Sequence, residues 1–305
     1  MKKLFGVLCL LLLIPQVSMA AEVGIIDSGV NFDHDHFAGV DHTWEDFVNN
    51  SNSFTSTYYH GTAVASAVLQ GDKDDAISTL HIAKIYNDIP SLTLDGQYQG
   101  KDYMLDVSPD VVIIPQTEGN RERVKKLYND GVLVVSPAGN DVRVRRGTYP
   151  EALGVATIRD GGYSNGRDAD TGLPDGMDVA CHVDNSATTA RTGSSLTSAK
   201  AAGMAASIIK EARDNGMCPD PDQMIDAMSM YELDRDEATN NLVNMQDDCG
   251  DVLGNGEVET SDAIEVLRDV AGKEELNIFQ EARVPGGEAS VDGAIQILRQ
   301  VVDLE

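Results

Sequence analysis

The sequence predicts an α/β fold, a doubly wound parallel sheet, followed by a small α-helical module. Two patterns predict the sheet. Short β-rich runs recur at 23–26, 80–86, 111–114, 132–135, 154–158 and 178–181, and they are mostly apolar without alternation, as strands buried on both faces should be. Helix-period stretches at 60–69, 121–130 and 197–213 lie between them, and strands alternating with helices give a parallel sheet covered on both sides. A third pattern predicts the module. Near its end the chain repeats itself at an offset of 31: Gly256-Glu257 matches Gly287-Glu288, Ala263-Ile264 matches Ala294-Ile295, Leu267-Arg268 matches Leu298-Arg299, and Val270 matches Val301.

In chain order, residues 1–20 read as a secretory signal. Lys2 and Lys3 precede an apolar run, Pro15 interrupts it, and Ser18-Met19-Ala20 supplies small residues for cleavage. The run is too short for a membrane span. Cys9 lies inside it rather than at its end, which argues against a lipidation site. Residues 21–233 are expected to form the sheet domain, residues 234–250 a polar linker without periodicity, and residues 251–305 the repeated loop–helix units.

Removing the signal takes away two lysines and no acid, so the formal net charge moves from −27 to −29. A chain this acidic should avoid nucleic acid and anionic membrane. Three cysteines stay in the exported chain, Cys181, Cys218 and Cys249. An odd count leaves at least one thiol unpaired. Cys218 and Cys249 bracket the junction between the two parts and are the expected disulfide, which export would permit.

Four short motifs carry the chemistry: Gly24-Ile25-Ile26-Asp27-Ser28-Gly29, His60-Gly61-Thr62-Ala63-Val64-Ala65, Ala138-Gly139-Asn140 and Gly193-Ser194-Ser195. An acid, a histidine and a serine beside small residues are what a serine hydrolase needs. The hydroxyl is a poor nucleophile at neutral pH, so a histidine must take its proton and a carboxylate must hold the imidazole. Asp27 and Asn140 each follow an apolar strand, at the carboxyl end where ligands of such sheets bind. His60 and Ser195 start helices, whose N-termini offer N–H groups and partial positive charge.

In these motifs and their order, residues 23–233 resemble the subtilisin-like serine proteases, or subtilases. The resemblance implies a secreted endopeptidase with Ser195 as nucleophile, His60 as base and Asp27 as its orienting acid. Asn140 would complete the oxyanion hole, and Ser194 would fill a threonine place beside the nucleophile. The chain departs from the family at three places. Ala199-Lys200 replaces a Pro-His pair. The substrate-binding stretch reads Ile114-Pro115-Gln116-Thr117-Glu118-Gly119, and its proline lacks a backbone donor. The family's propeptide is missing, so the chain is expected to fold unaided or with outside help. A catalytically weak binding module is therefore the alternative.

Asp33-His34-Asp35-His36 reads as a structural turn with metal binding as its rival, and Arg143-Val144-Arg145-Arg146 as a solvated loop. The tail resembles a dockerin, a paired calcium-binding module that docks onto cohesins. That implies calcium in the first loop, with Asp251, Asn255, Glu259 and Asp262 at places 1, 5, 9 and 12 and the Glu257 backbone at place 7. Leu253 at place 3 loses one expected ligand, and the second copy, with Ala282, Val284, Gly286, Ser290 and Gly293 at places 1, 3, 5, 9 and 12, should not hold the ion. The expected partners are a peptide substrate and a cohesin.

Overall fold

The structure, a computed structural model, describes residues 20–48, 59–73, 75–87, 92–116, 120–137, 149–159, 162–163, 179–182, 193–215, 217–230 and 233–245, and six helical positions of the tail. Among the described residues, eight strands form one sheet: β1 (Ala21–Asp27), β2 (Asp41–Asp46), β3 (Ile77–Lys84), β4 (Val111–Ile113), β5 (Leu133–Pro137), β6 (Leu153–Arg159), β7 (Gly162–Tyr163) and β8 (Val179–His182). Their order is β2-β3-β1-β4-β5-β6, with β6 also pairing β7 and β8. All pairings are parallel except that of β6 with the short β7.

Among the described residues, six helices accompany the sheet: α1 (His60–Gly71), α2 (Leu94–Val107), α3 (Arg121–Asn129), α4 (Ser194–Asp214), α5 (Pro221–Met228) and α6 (Arg235–Met245). The apolar strands supply both faces at once. Val23, Ile25, Val111, Ile113, Leu133 and Val135 join α1 and α4 in one core layer. Ile26, Val112, Ile114 and Val134 join Met104 of α2 and Val124 and Leu127 of α3 in the other. Successive strand residues point to opposite faces, so runs that are apolar at every position are what a doubly covered sheet requires. The expected α/β architecture and its six apolar strands are therefore observed.

Strand β2 and helices α2 and α6 are among the elements that the hydrophobic pattern did not show. Strand β2 reads Asp-His-Thr-Trp-Glu-Asp and lies at the sheet edge, mostly exposed, so it carries no apolar signal. Helix α2 buries Gly96, Gln97, Gly100, Lys101 and Met104. Its inner face has helical spacing, but small and polar residues occupy it. Helix α6 corrects the expected linker at 234–250. Ala238 and Leu242, one turn apart, are buried in the first core layer. The Asp234 side chain accepts the Glu237 N–H at 2.9 Å, as a residue capping a helix start does. Thr239 is buried beside Ala238 and Leu242, so three side chains in a polar stretch dock the helix.

Helices α1 and α4 touch backbone to backbone. A methyl group on Gly203 would fall on the Val68 carbonyl oxygen, and one on Gly71 on the Lys200 carbonyl oxygen. Only glycine lets the two helices come this near.

Cys218 is disulfide-bonded; its expected partner Cys249 lies outside the described residues. No helix among the described residues is long and apolar enough to cross a membrane. In the tail, Ala263, Val266, Ala294 and Ile297 are helical and buried. These are the same two places in each copy of the repeat.

Candidate functional site

Strand β1 ends at Asp27, which is fully buried beside the first residue of α1, His60. His60 Nδ1 lies 2.8 Å from Asp27 Oδ2 and 3.0 Å from Oδ1. With Nδ1–H donating to the acid, the neutral ring carries its lone pair on Nε2, the form able to take up a proton.

Local sequence brings the pair together. The Gly61 N–H donates to Ser28 Oγ at 3.1 Å, and the Asn31 N–H donates to Thr62 Oγ1 at 3.0 Å. Two residues after the histidine and the turn after the acid are thus tied to each other. A methyl at Gly61 would fall on the Gly29 carbonyl oxygen and 3.1 Å from Asp27 Oδ1. The glycine beside His60 therefore permits the approach. On the sheet side the Ile85 N–H donates to the Asp27 carbonyl at 2.8 Å, which ties the end of β1 to the residue after β3.

Asp27 has further partners. Its Oδ1 accepts the Ser28 N–H at 2.6 Å and the Tyr86 hydroxyl at 2.9 Å. Its Oδ2 accepts Gln116 Nε2–H at 3.1 Å, and the same amide nitrogen donates to the Tyr86 oxygen at 2.8 Å. Tyr86 follows β3 and Gln116 follows β4, the two strands that flank β1. The sequence placed Gln116 within the substrate-binding stretch, not beside the acid, and gave Tyr86 no role. A usable signal was present: each is a side chain with a hydrogen-bonding group just past the carboxyl end of a strand, where such sheets gather their ligands.

Ser195 is the second residue of α4 and half-buried, whereas Ser194 before it is 1% exposed. The Ser195 hydroxyl donates to the Pro115 carbonyl at 3.2 Å. Pro115 and Gln116 are adjacent, so one dipeptide touches the serine through its backbone and the acid through a side chain. Of the four expected catalytic residues, Asp27 and His60 are hydrogen-bonded at the carboxyl end of β1, and Ser195 is linked to them through the Pro115-Gln116 dipeptide that follows β4. The fourth, Asn140, lies outside the described residues, as do Asp251, Asn255, Glu257, Glu259 and Asp262 of the tail.

The Asp33–His36 run folds as a turn. His34 Nδ1 accepts the His36 N–H at 3.1 Å and caps a single 3-10 turn at Asp35–Phe37. Among the described residues no group of three or more His, Cys, Asp or Glu is arranged to hold a metal.

No protein-family model matches the sequence, and no curated protein matches it. Solved structures do. The prenylagaramide maturation protease PagA superposes with a TM-score of 0.59 at 17% identity, covering 74% of this chain and 94% of that one. The PatG macrocyclase in complex with peptide gives 0.54 at 11%, covering 74% and 93%. A cold-adapted subtilisin-like serine proteinase gives 0.53 at 18%, covering 70% and 83%. The chain has the fold of subtilisin-like protease domains.

Proposed function

We propose that this chain is a secreted serine endopeptidase of the subtilisin type. Ser195 attacks the peptide carbonyl. His60 takes the hydroxyl proton through Nε2 and returns it to the leaving amine. Asp27 orients the ring and stabilises its charged form. The Asn140 side chain and the Ser195 backbone N–H hold the oxyanion of the tetrahedral intermediate. Residues 1–20 are removed on export, and the dockerin-like tail holds calcium and docks onto a cohesin.

The observation that carries the reading is the fully buried Asp27 at 2.8 Å from Nδ1 of His60. It stands within the fold of proteases and of a macrocyclase solved with a peptide. The partial exposure of Ser195 beside a buried Ser194 supports Ser195 as the nucleophile. One observation favours the alternative of a catalytically weak binding module: the Ser195 hydroxyl is engaged by the Pro115 carbonyl.

A fluorophosphonate probe separates the two, since it reacts quickly only with an activated serine. The expected result is stoichiometric label on Ser195, abolished by Ser195→Ala and kept by Ser194→Ala. A folded protein that takes no label would overturn the peptidase reading, and label on Ser194 would overturn the assignment.

A further inference from the structure

An ionised carboxylate only accepts hydrogen bonds, at about four lone-pair sites. Asp27 is supplied by the Ser28 N–H, His60 Nδ1–H, the Tyr86 hydroxyl and Gln116 Nε2–H. The first two come from the turn after β1 and from the helix facing it. The other two come from the neighbouring strands, one from each side.

The recorded hydrogen bonds orient this network. The two hydrogens on Gln116 Nε2 go to Asp27 and to the Tyr86 oxygen, and the phenol hydrogen goes to Asp27. The amide orientation is chemically required, because turning it over would set Oε1 against a carboxylate oxygen. In this orientation Gln116 Oε1 is buried and has no hydrogen-bond partner among the described residues. An unpaired buried amide oxygen is unfavourable. What the glutamine supplies is its nitrogen, directed at the acid and at the tyrosine that also grips it.

We infer that Tyr86 and Gln116 are positioning residues that fix the Asp27 carboxylate toward His60 Nδ1 and share its negative charge. Their kinetic effect rests on the peptidase reading above. Both act through Asp27. Without them the carboxylate is free to turn, so fewer imidazole rings are correctly held. An acid whose charge is less shared also holds the proton on His60 more firmly, so the rate falls off at higher pH on the acid side.

The test uses the full chain with Tyr86→Phe, Gln116→Met and the double variant. Each single change should lower kcat about tenfold, the loss of one donor to a charged group, with KM unchanged. The acid limb of the pH profile should move up by roughly half a pH unit. The double variant should lose less than the product of the two, because both residues belong to one network. Proton NMR gives a readout that needs no turnover: the low-field resonance of the proton between His60 and Asp27 should shift or broaden in both single variants. If Tyr86→Phe fails to fold, Gln116→Met carries the test. An unchanged resonance and pH profile in a folded variant would overturn the inference, as would a rise in KM at constant kcat. A shifted resonance in a protein that takes no fluorophosphonate would uphold the positioning role and sink the peptidase reading instead.

Discussion

Lys84 and Asp46 form an ion pair at 2.9 Å with side chains 1% and 0% exposed. They end β3 and β2 and face each other in register, and Lys84 is also the register partner of Asp27. Lys84→Met keeps much of the stem and removes the charge, leaving the Asp46 carboxylate buried beside a methyl group. Breaking a buried pair by removing one partner costs about 3–5 kcal/mol. At roughly 2–4 °C per kcal/mol for a domain of this size, melting at pH 7 should fall by about 6–20 °C. Replacing both, as Asp46→Leu with Lys84→Met, removes the stranded charge. One cost of that change is the hydrogen bond from the Val48 N–H to Asp46 at 2.9 Å, about 1 kcal/mol. The double variant should therefore melt above the single one. Urea unfolding of all three proteins decides it. A Lys84→Met variant within about 1 kcal/mol of the parent, or a double variant as unstable as the single one, would refute the reasoning.

Asn140→Ala should lower kcat by about 10²–10³ with KM little changed, as removal of an oxyanion donor does; a drop below tenfold in a folded variant counts against that role. The tail should bind one calcium ion at about 10⁻⁵–10⁻³ M, since only the first loop keeps its carboxylates; calorimetry giving two sites, or binding that survives Asp251→Ala with Asp262→Ala, would refute this. Arg121 donates twice to Glu151, at 3.1 and 3.0 Å, and holds that carboxyl below its ordinary value of 4.5. A depressed carboxylate contributes stability that is present above its unfolded value and lost as pH falls through the folded one. The melting difference between the parent and Glu151→Gln should therefore be full at neutral pH and close below pH 4.5; a gap that persists in acid would show that the charge is not its cause.

The sheet was legible because the strands at its centre are apolar on both faces, a pattern that needs no tertiary information. The site was legible as far as it is local: Asp27 ends a strand, and His60 and Ser195 stand in the first turns of their helices. Tyr86 and Gln116 were not legible as partners of Asp27. They lie 59 and 89 residues from Asp27, and they meet it because the strand order β3-β1-β4 departs from chain order. Helix α2 escaped for the opposite reason. Gly100 stands where a methyl would come within 2.8 Å of Ile85 and 2.9 Å of Ile26. Close packing against the sheet selected a residue that carries no hydrophobic signal.

The peptidase and binding-module readings divide at the Ser195 hydroxyl, and magnitudes favour the first. A neutral hydrogen bond contributes about 0.5–1.5 kcal/mol net, so releasing Ser195 from the Pro115 carbonyl lowers a rate by roughly tenfold at most. Hydrogen bonds of catalytic groups in unliganded enzymes are often misaligned and tighten only when substrate is bound. The resting contact is therefore too weak by itself to decide for the binding module. Dissolving the acid–histidine pair would be a far larger loss, and that pair is in place, with Asp27 held by donors from the turn after β1, from α1 and from both flanking strands. A chain kept only for binding has no need of a buried carboxylate so fully supplied, since any apolar side chain at that place would avoid the cost of burying a charge.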